Sequence, residues 1–131
     1  MNDLINNDIE QYLVQMKKMI KDGCRVIPKI KRDKNFLFMY LYNITEKSIK
    51  EILLSLEIND YYNRFKSDNE KHKDELLYVW SPTRMLVDQN GEEREIKMYI
   101  KTYVDKKNNY VVVISFHKFG DYWRSAYGKI L

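Results

Sequence analysis

The stretch that most limits what this chain can fold into runs from Arg94 to Lys118. REIKMYIKTYVDKKNNYVVVISFHK reads as two strands joined by a turn. In the first strand Lys97, Tyr99, Lys101 and Tyr103 alternate with Ile96, Met98, Ile100 and Val104. Successive side chains of a strand point to opposite faces, so one face is apolar and the other is tyrosine and lysine. The second strand is valine-rich and ends at His117 and Lys118.

Register decides whether His117 joins the Tyr/Lys face. Facing residues of an antiparallel pair have a constant sum of residue numbers. An odd sum mixes apolar and polar side chains on each face. An even sum puts Met98, Ile100 and Thr102 on one side with Val112, Ile114 and Phe116, and burial of one face selects it. A loop of three residues, Lys106 to Asn108, or of five, meets that condition. Asn108 or Asn109 can take the left-handed position that a three-residue loop needs. The other face then collects Lys97, Tyr99, Lys101, Tyr103, Ser115 and His117.

At 131 residues, with 44% hydrophobic and 32% charged, the chain is expected to form a single domain over 1–131 with its own core. Only 4 glycines and 2 prolines leave no flexible linker. The net charge of +4 suits a nucleic-acid partner, and equally a lysine-rich proteome. The 11 tyrosines suit stacking or interface surfaces. Cys24 is the only cysteine, which rules out an internal disulfide and a Cys-rich zinc site; it reads as a small, partly buried hydrophobe. The start, MNDLINNDIEQYL, has early acids and no apolar h-region, and no run of about 18 apolar residues occurs. The expectation is a cytoplasmic chain with no membrane partner.

Along the chain, residues 3–22 read as an amphipathic helix capped by Asp3. Leu4, Ile5, Ile9, Tyr12, Leu13, Met16, Met19 and Ile20 form its stripe, and Gly23 is its stop. In CRVIPKIKR, Pro28 argues against a central strand. NFLFMYLYN is either a buried strand or a helix start. Residues 45–56 read as a helix capped by Thr45, with Ile49, Ile52, Leu53 and Leu56 on one side. NDYYNRF reads as a capped turn or short helix, 66–75 as a polar loop, LLYVW as a strand, and Asp88–Gly91 as a turn. Helices followed by antiparallel strands give an α+β class, with N-terminal helices packed on a small antiparallel sheet.

Several chemistries lack their motifs. His72 and His117 show no metal-ligand spacing, four scattered glycines make no phosphate loop, and there is no GxSxG elbow. Neither metal nor cofactor is expected. Metal-independent chemistry on RNA remains. There a 2′-hydroxyl attacks its own phosphodiester and needs a base, an acid and cations. An imidazole titrates near neutrality, so His117 can serve as acid or base. Tyr99 can donate a proton or orient the hydroxyl. Lys97, Lys101, Tyr103, Arg84 and Lys118 are candidate RNA contacts. The tail DYWRSAYGK interleaves aromatics with cations, which suits stacking and phosphate contact through Arg124 and Tyr127, or packing over the sheet with Trp123 in the core. Each of these features also has a plainer reading, as a structural histidine or a solvated face.

The order QMKKMIKDG, a short helix, NDYYNRF, a strand ending VWSP, MYIKTYV and VVVISFHK resembles the MqsR family of toxins over roughly residues 11–118. The resemblance implies a RelE-like fold, a metal-independent mRNA interferase of a toxin–antitoxin module, and a cognate antitoxin as partner. It implies Tyr99, in MYIK, as an active-site residue, and places His117 where the family carries a catalytic lysine after Ser-Phe. Two positions depart: the family's lysine after the paired aromatics is Asn63, and its glutamine is Leu77 or a neighbour. That implies either a site rebuilt around Arg64, Arg84 and His117 or an activity altered or lost. The alternative is a non-catalytic RNA- or protein-binding module using the same basic aromatic face.

Overall fold

A computed structural model describes residues 3–67 and 75–120, with side chains from Asn6 onward. Among these residues the order is α1 (Asp3–Lys21), β1 (Arg25–Pro28), α2 (Asp33–Leu41), α3 (Glu46–Ser55), a 3-10 turn (Ile58–Asp60), β2 (Tyr61–Lys66), β3 (Leu76–Trp80), β4 (Thr83–Val87), β5 (Glu93–Asp105) and β6 (Tyr110–Lys118). The class is α+β, as expected from the sequence.

Helix ends follow local chemistry. Gly23 sits at φ +91 after α1, its N–H donating to the Ile20 carbonyl while that of Cys24 donates to Met19. This pair of bonds satisfies carbonyls that a helix end otherwise leaves bare. Asn43, at φ 54, closes α2 in the same way. At the start of α3 the Thr45 hydroxyl accepts the Ser48 N–H, and the Ser48 hydroxyl accepts that of Thr45. NFLFMYLYN proves helical: Phe38 packs 5.9 Å from Phe116, and Asn35 is buried, while Phe36, Leu37 and Tyr40 are exposed.

The sheet runs β1-β6-β5-β3-β2, with β4 pairing the first part of β5. It is mixed rather than purely antiparallel, because β1 lies parallel to β6 at the edge. An edge place accommodates Pro28, which has no N–H to give a second neighbour. NDYYNRF departs from the turn or short helix expected: only Ile58–Asp60 forms a 3-10 turn, and Tyr61 onward pairs with β3. The strand TRMLV is likewise unforeseen. The Asp88–Gly91 turn lies where expected. Of the polar loop, Lys66 ends β2 and Ser67 donates to the Glu75 carbonyl at 2.9 Å. The remainder with His72, the side chains of Asp3, Leu4 and Ile5, and the tail with Trp123, Arg124 and Tyr127 lie outside the described residues.

One sheet face carries the core. Ile9, Leu13 and Met16 of α1 and Ile49 and Leu53 of α3 meet Trp80, Met98, Ile100, Val111, Val113 and Phe116. Each such aliphatic or phenyl side chain contributes about 1.5–3 kcal/mol on burial. Thr102 is the polar pin of this face. Its Oγ1 accepts the Trp80 indole N–H at 3.1 Å and lies 2.8 Å from the Tyr12 hydroxyl. Cys24 is buried and its thiol is pushed up by desolvation.

Candidate nucleic-acid interface

The other face is organised by one irregularity in β6. Near the turn, Thr102 faces Val113, Tyr103 faces Val112 and Asp105 faces Tyr110, an odd sum. Past a bulge at Ile114 the pairing becomes even: Lys101 faces Ser115, Ile100 faces Phe116 and Tyr99 faces His117. The loop is Lys106–Asn109, neither three residues nor five, and Asn109 takes the left-handed φ of 57. Accordingly Val112 and Ile114 leave the core side assigned to them, and Val113 takes their place. The even register holds only where it matters for His117. Without the extra residue, alternation from Val113 would turn His117 to the core side.

The bulge is gripped from outside the sheet. Where β1 stops at Pro28, the buried side chain of Asn35 takes over the edge of β6. Its Nδ2 donates to the Ile114 carbonyl at 2.9 Å and to that of Lys29 at 3.1 Å, and its Oδ1 accepts the Phe116 N–H at 2.9 Å. Arg32 adds longer bonds of 3.4 Å to the Ile114 carbonyl and the Ser115 hydroxyl.

On the face so formed, the rings of Tyr99 and His117 stack with centroids 5.2 Å apart and planes 14° apart. Tyr62 stands edge-on to Tyr99 at 6.4 Å and to Phe119 at 5.0 Å. Lys97 places its ammonium 4.4 Å over Phe119, and Lys101 places its own 4.9 Å over Phe65. His117 Nδ1 lies 3.0 Å from the Lys118 carbonyl. A carbonyl only accepts, so Nδ1 carries the proton, and in the neutral ring the lone pair falls on Nε2. His117 is only 6% exposed, whereas Tyr62 is 51% exposed. Tyr103 donates to Glu75 Oε1 at 2.6 Å, and burial together with this bond raises its phenol well above the ordinary range.

The remaining candidates sit elsewhere. Arg64 faces the Tyr78 ring at 5.8 Å and lies 3.8 Å from Asp8, on the α1 side. Arg84 donates to the Ser55 carbonyl and hydroxyl and lies 3.6 Å from Asp60, joining β4 to the end of α3. Lys118 pairs with Met98 and so projects from the core side of its strand. Asn63 accepts its neighbour Arg64's N–H, and Leu77 is buried opposite Phe65. Thus Lys97, Tyr99, Lys101, Tyr103, Ser115 and His117 come together, while Arg64, Arg84 and Lys118 do not.

Tyr62, Phe119 and Arg32 join this face without having been singled out. Phe119 was within reach of sequence reasoning, since it continues the alternation Ser115, His117 by one more step. Tyr62 was not, because the pairing of β2 slips between Tyr61 and Asn63. Among the described residues, no group of three or more His, Cys, Asp or Glu side chains is placed to hold a metal ion, and no helix is long and apolar enough to cross a membrane. No family model matches the chain, and neither a curated protein nor a solved structure does.

Proposed function

We propose that this face binds single-stranded RNA and cleaves it without metal, in the manner of a RelE-like mRNA interferase toxin acting in the cytoplasm. The observation that carries the reading is the stacked pair of Tyr99 and His117 between Lys97 and Lys101. His117 Nε2 takes the proton of a 2′-hydroxyl, whose oxygen attacks the adjoining phosphorus. The 5′-oxygen leaves with a proton from the imidazolium so formed or from the Tyr99 phenol, and a 2′,3′-cyclic phosphate remains. Lys97 and Lys101 offset the charge gathered on the phosphorane. The resemblance to MqsR toxins supports the same two positions and implies an antitoxin that covers the face.

The test is RNA cleavage by the purified chain in EDTA, compared with His117→Ala and Tyr99→Phe. Loss of the base is expected to cost about 10²–10⁴-fold, and Tyr99→Phe less, because the stacked ring is kept. Equal cleavage by the variants would remove the assignment.

A second reading, a binding module without catalysis, gains from the burial of His117 beneath Tyr99. Salt-dependent RNA binding with no cleavage by the wild-type chain would select it.

A further inference from the structure

Beyond Lys101 the same face holds a groove of about 520 Å³. Leu77, Val112 and Ile114 supply apolar lining, and Phe65, Tyr103 and Tyr110 supply rings. Four cations border it: Lys101 from β5, and Lys29, Lys31 and Arg32 from the β1–α2 connection. Its acid, Glu75, is engaged by the Tyr103 hydroxyl. Val112 and Ile114 reach this face because the turn-side register of the hairpin, up to the bulge, is odd.

We infer that this groove is a nucleotide subsite for the RNA strand adjoining the cleaved phosphodiester. The nucleotide's base lies on the apolar lining beside Phe65, and its phosphate lies toward Lys29, Lys31 and Lys101. The inference rests on the RNA reading proposed above and adds a place and a direction to it. Flat apolar lining with rings and a rim of cations matches a polymer of flat bases on an anionic backbone. An acidic peptide would use the cations but leave the rings unexplained. The volume falls within the roughly 300–1,000 Å³ of small-ligand sites. Continuity comes from Lys101, two residues from Tyr99 on the same strand face and so about 7 Å along it.

The experiment measures binding of a short, mixed-sequence 2′-O-methylated RNA, which lacks the attacking hydroxyl. Lys29 and Lys31 have exposed side chains, so reversing their charge leaves the core intact, and a thermal melt checks this. The expected result for Lys29→Glu with Lys31→Glu is at least about tenfold weaker binding. Its salt dependence should be shallower by roughly 0.7 per lost phosphate contact. Phe65→Ala should weaken binding with the salt dependence kept. Wild-type binding that these variants leave unchanged would overturn the subsite and spare the RNA reading. Absence of wild-type binding would overturn both. Binding of polyglutamate but not of RNA, lost in the same variants, would assign the groove to an acidic protein instead.

Discussion

The side-chain amide of Asn35 pairs with the main chain of Phe116 as a neighbouring strand would, accepting its N–H at 2.9 Å. The same amide donates to Ile114, the bulged residue, so one side chain satisfies both main-chain groups that the bulge leaves at the edge of β6. Removing it strands the buried Phe116 N–H, at about 1–3 kcal/mol, while the part-buried Ile114 carbonyl keeps its longer bond from Arg32. Asn35→Ala is expected to lower unfolding free energy in urea by about that amount and to weaken the Tyr99–His117 ring contact, as read by NMR. Asn35→Asp keeps the acceptor but loses the donor, so it should fall between. A wild-type melt for Asn35→Ala would refute the clamp.

Thr102→Val tests the polar pin of the core. The shapes match, so the cost is the lost partner of the Trp80 indole and of the Tyr12 hydroxyl, about 1–3 kcal/mol for each buried group left bare. Urea titration followed by tryptophan fluorescence would read it, and a change below half a kcal/mol would contradict the role.

Acid stability should depend on Asp105. Its carboxylate accepts the Asn108 side-chain and main-chain N–H groups, which hold it below the usual carboxylate range. A lowered folded value stabilises the fold above the unfolded value of about 4, and the benefit disappears as pH falls through the folded value. Wild type should therefore exceed Asp105→Asn at neutral pH, and the gap should close below about pH 4. A gap that is constant down to pH 2 would exclude this linkage.

Gly23→Ala isolates a backbone cost. Nothing lies within 4 Å of the added carbon, yet φ is +91. The left-handed region costs an L-residue about 1–2 kcal/mol, and denaturant unfolding should show a loss of that size. Gly23→Asn should lose less. An alanine variant as stable as wild type would mean that the turn reshapes freely.

The alternation of β5 was legible because each residue repeats the same choice of face, and the cap at Thr45 because it acts within one turn. The bulge was not legible, since it is held by Asn35, far away in sequence and set in a segment whose periodicity is ambiguous. NFLFMYLYN puts apolar groups all round, so neither a helical stripe nor strand alternation stands out. Arg64 and Arg84 were misplaced for a related reason: β2 and β4 were not read as strands, and a residue without an element has no face. His117 reached its predicted face by a different route, through a bulge in place of an odd-length loop.

The parallel pairing of β1 with β6 joins Arg25 to Tyr110, near opposite ends of the described chain. Closing so long a loop is slow, because its entropy must be lost before the contact repays it. The hairpin of β5 and β6 can form locally and early, but the bulge that sets His117 beside Tyr99 is held by Asn35, three residues beyond Arg32. The stacked pair and the cation rim of Lys29, Lys31 and Arg32 are therefore completed together, when β1 and α2 dock on β6.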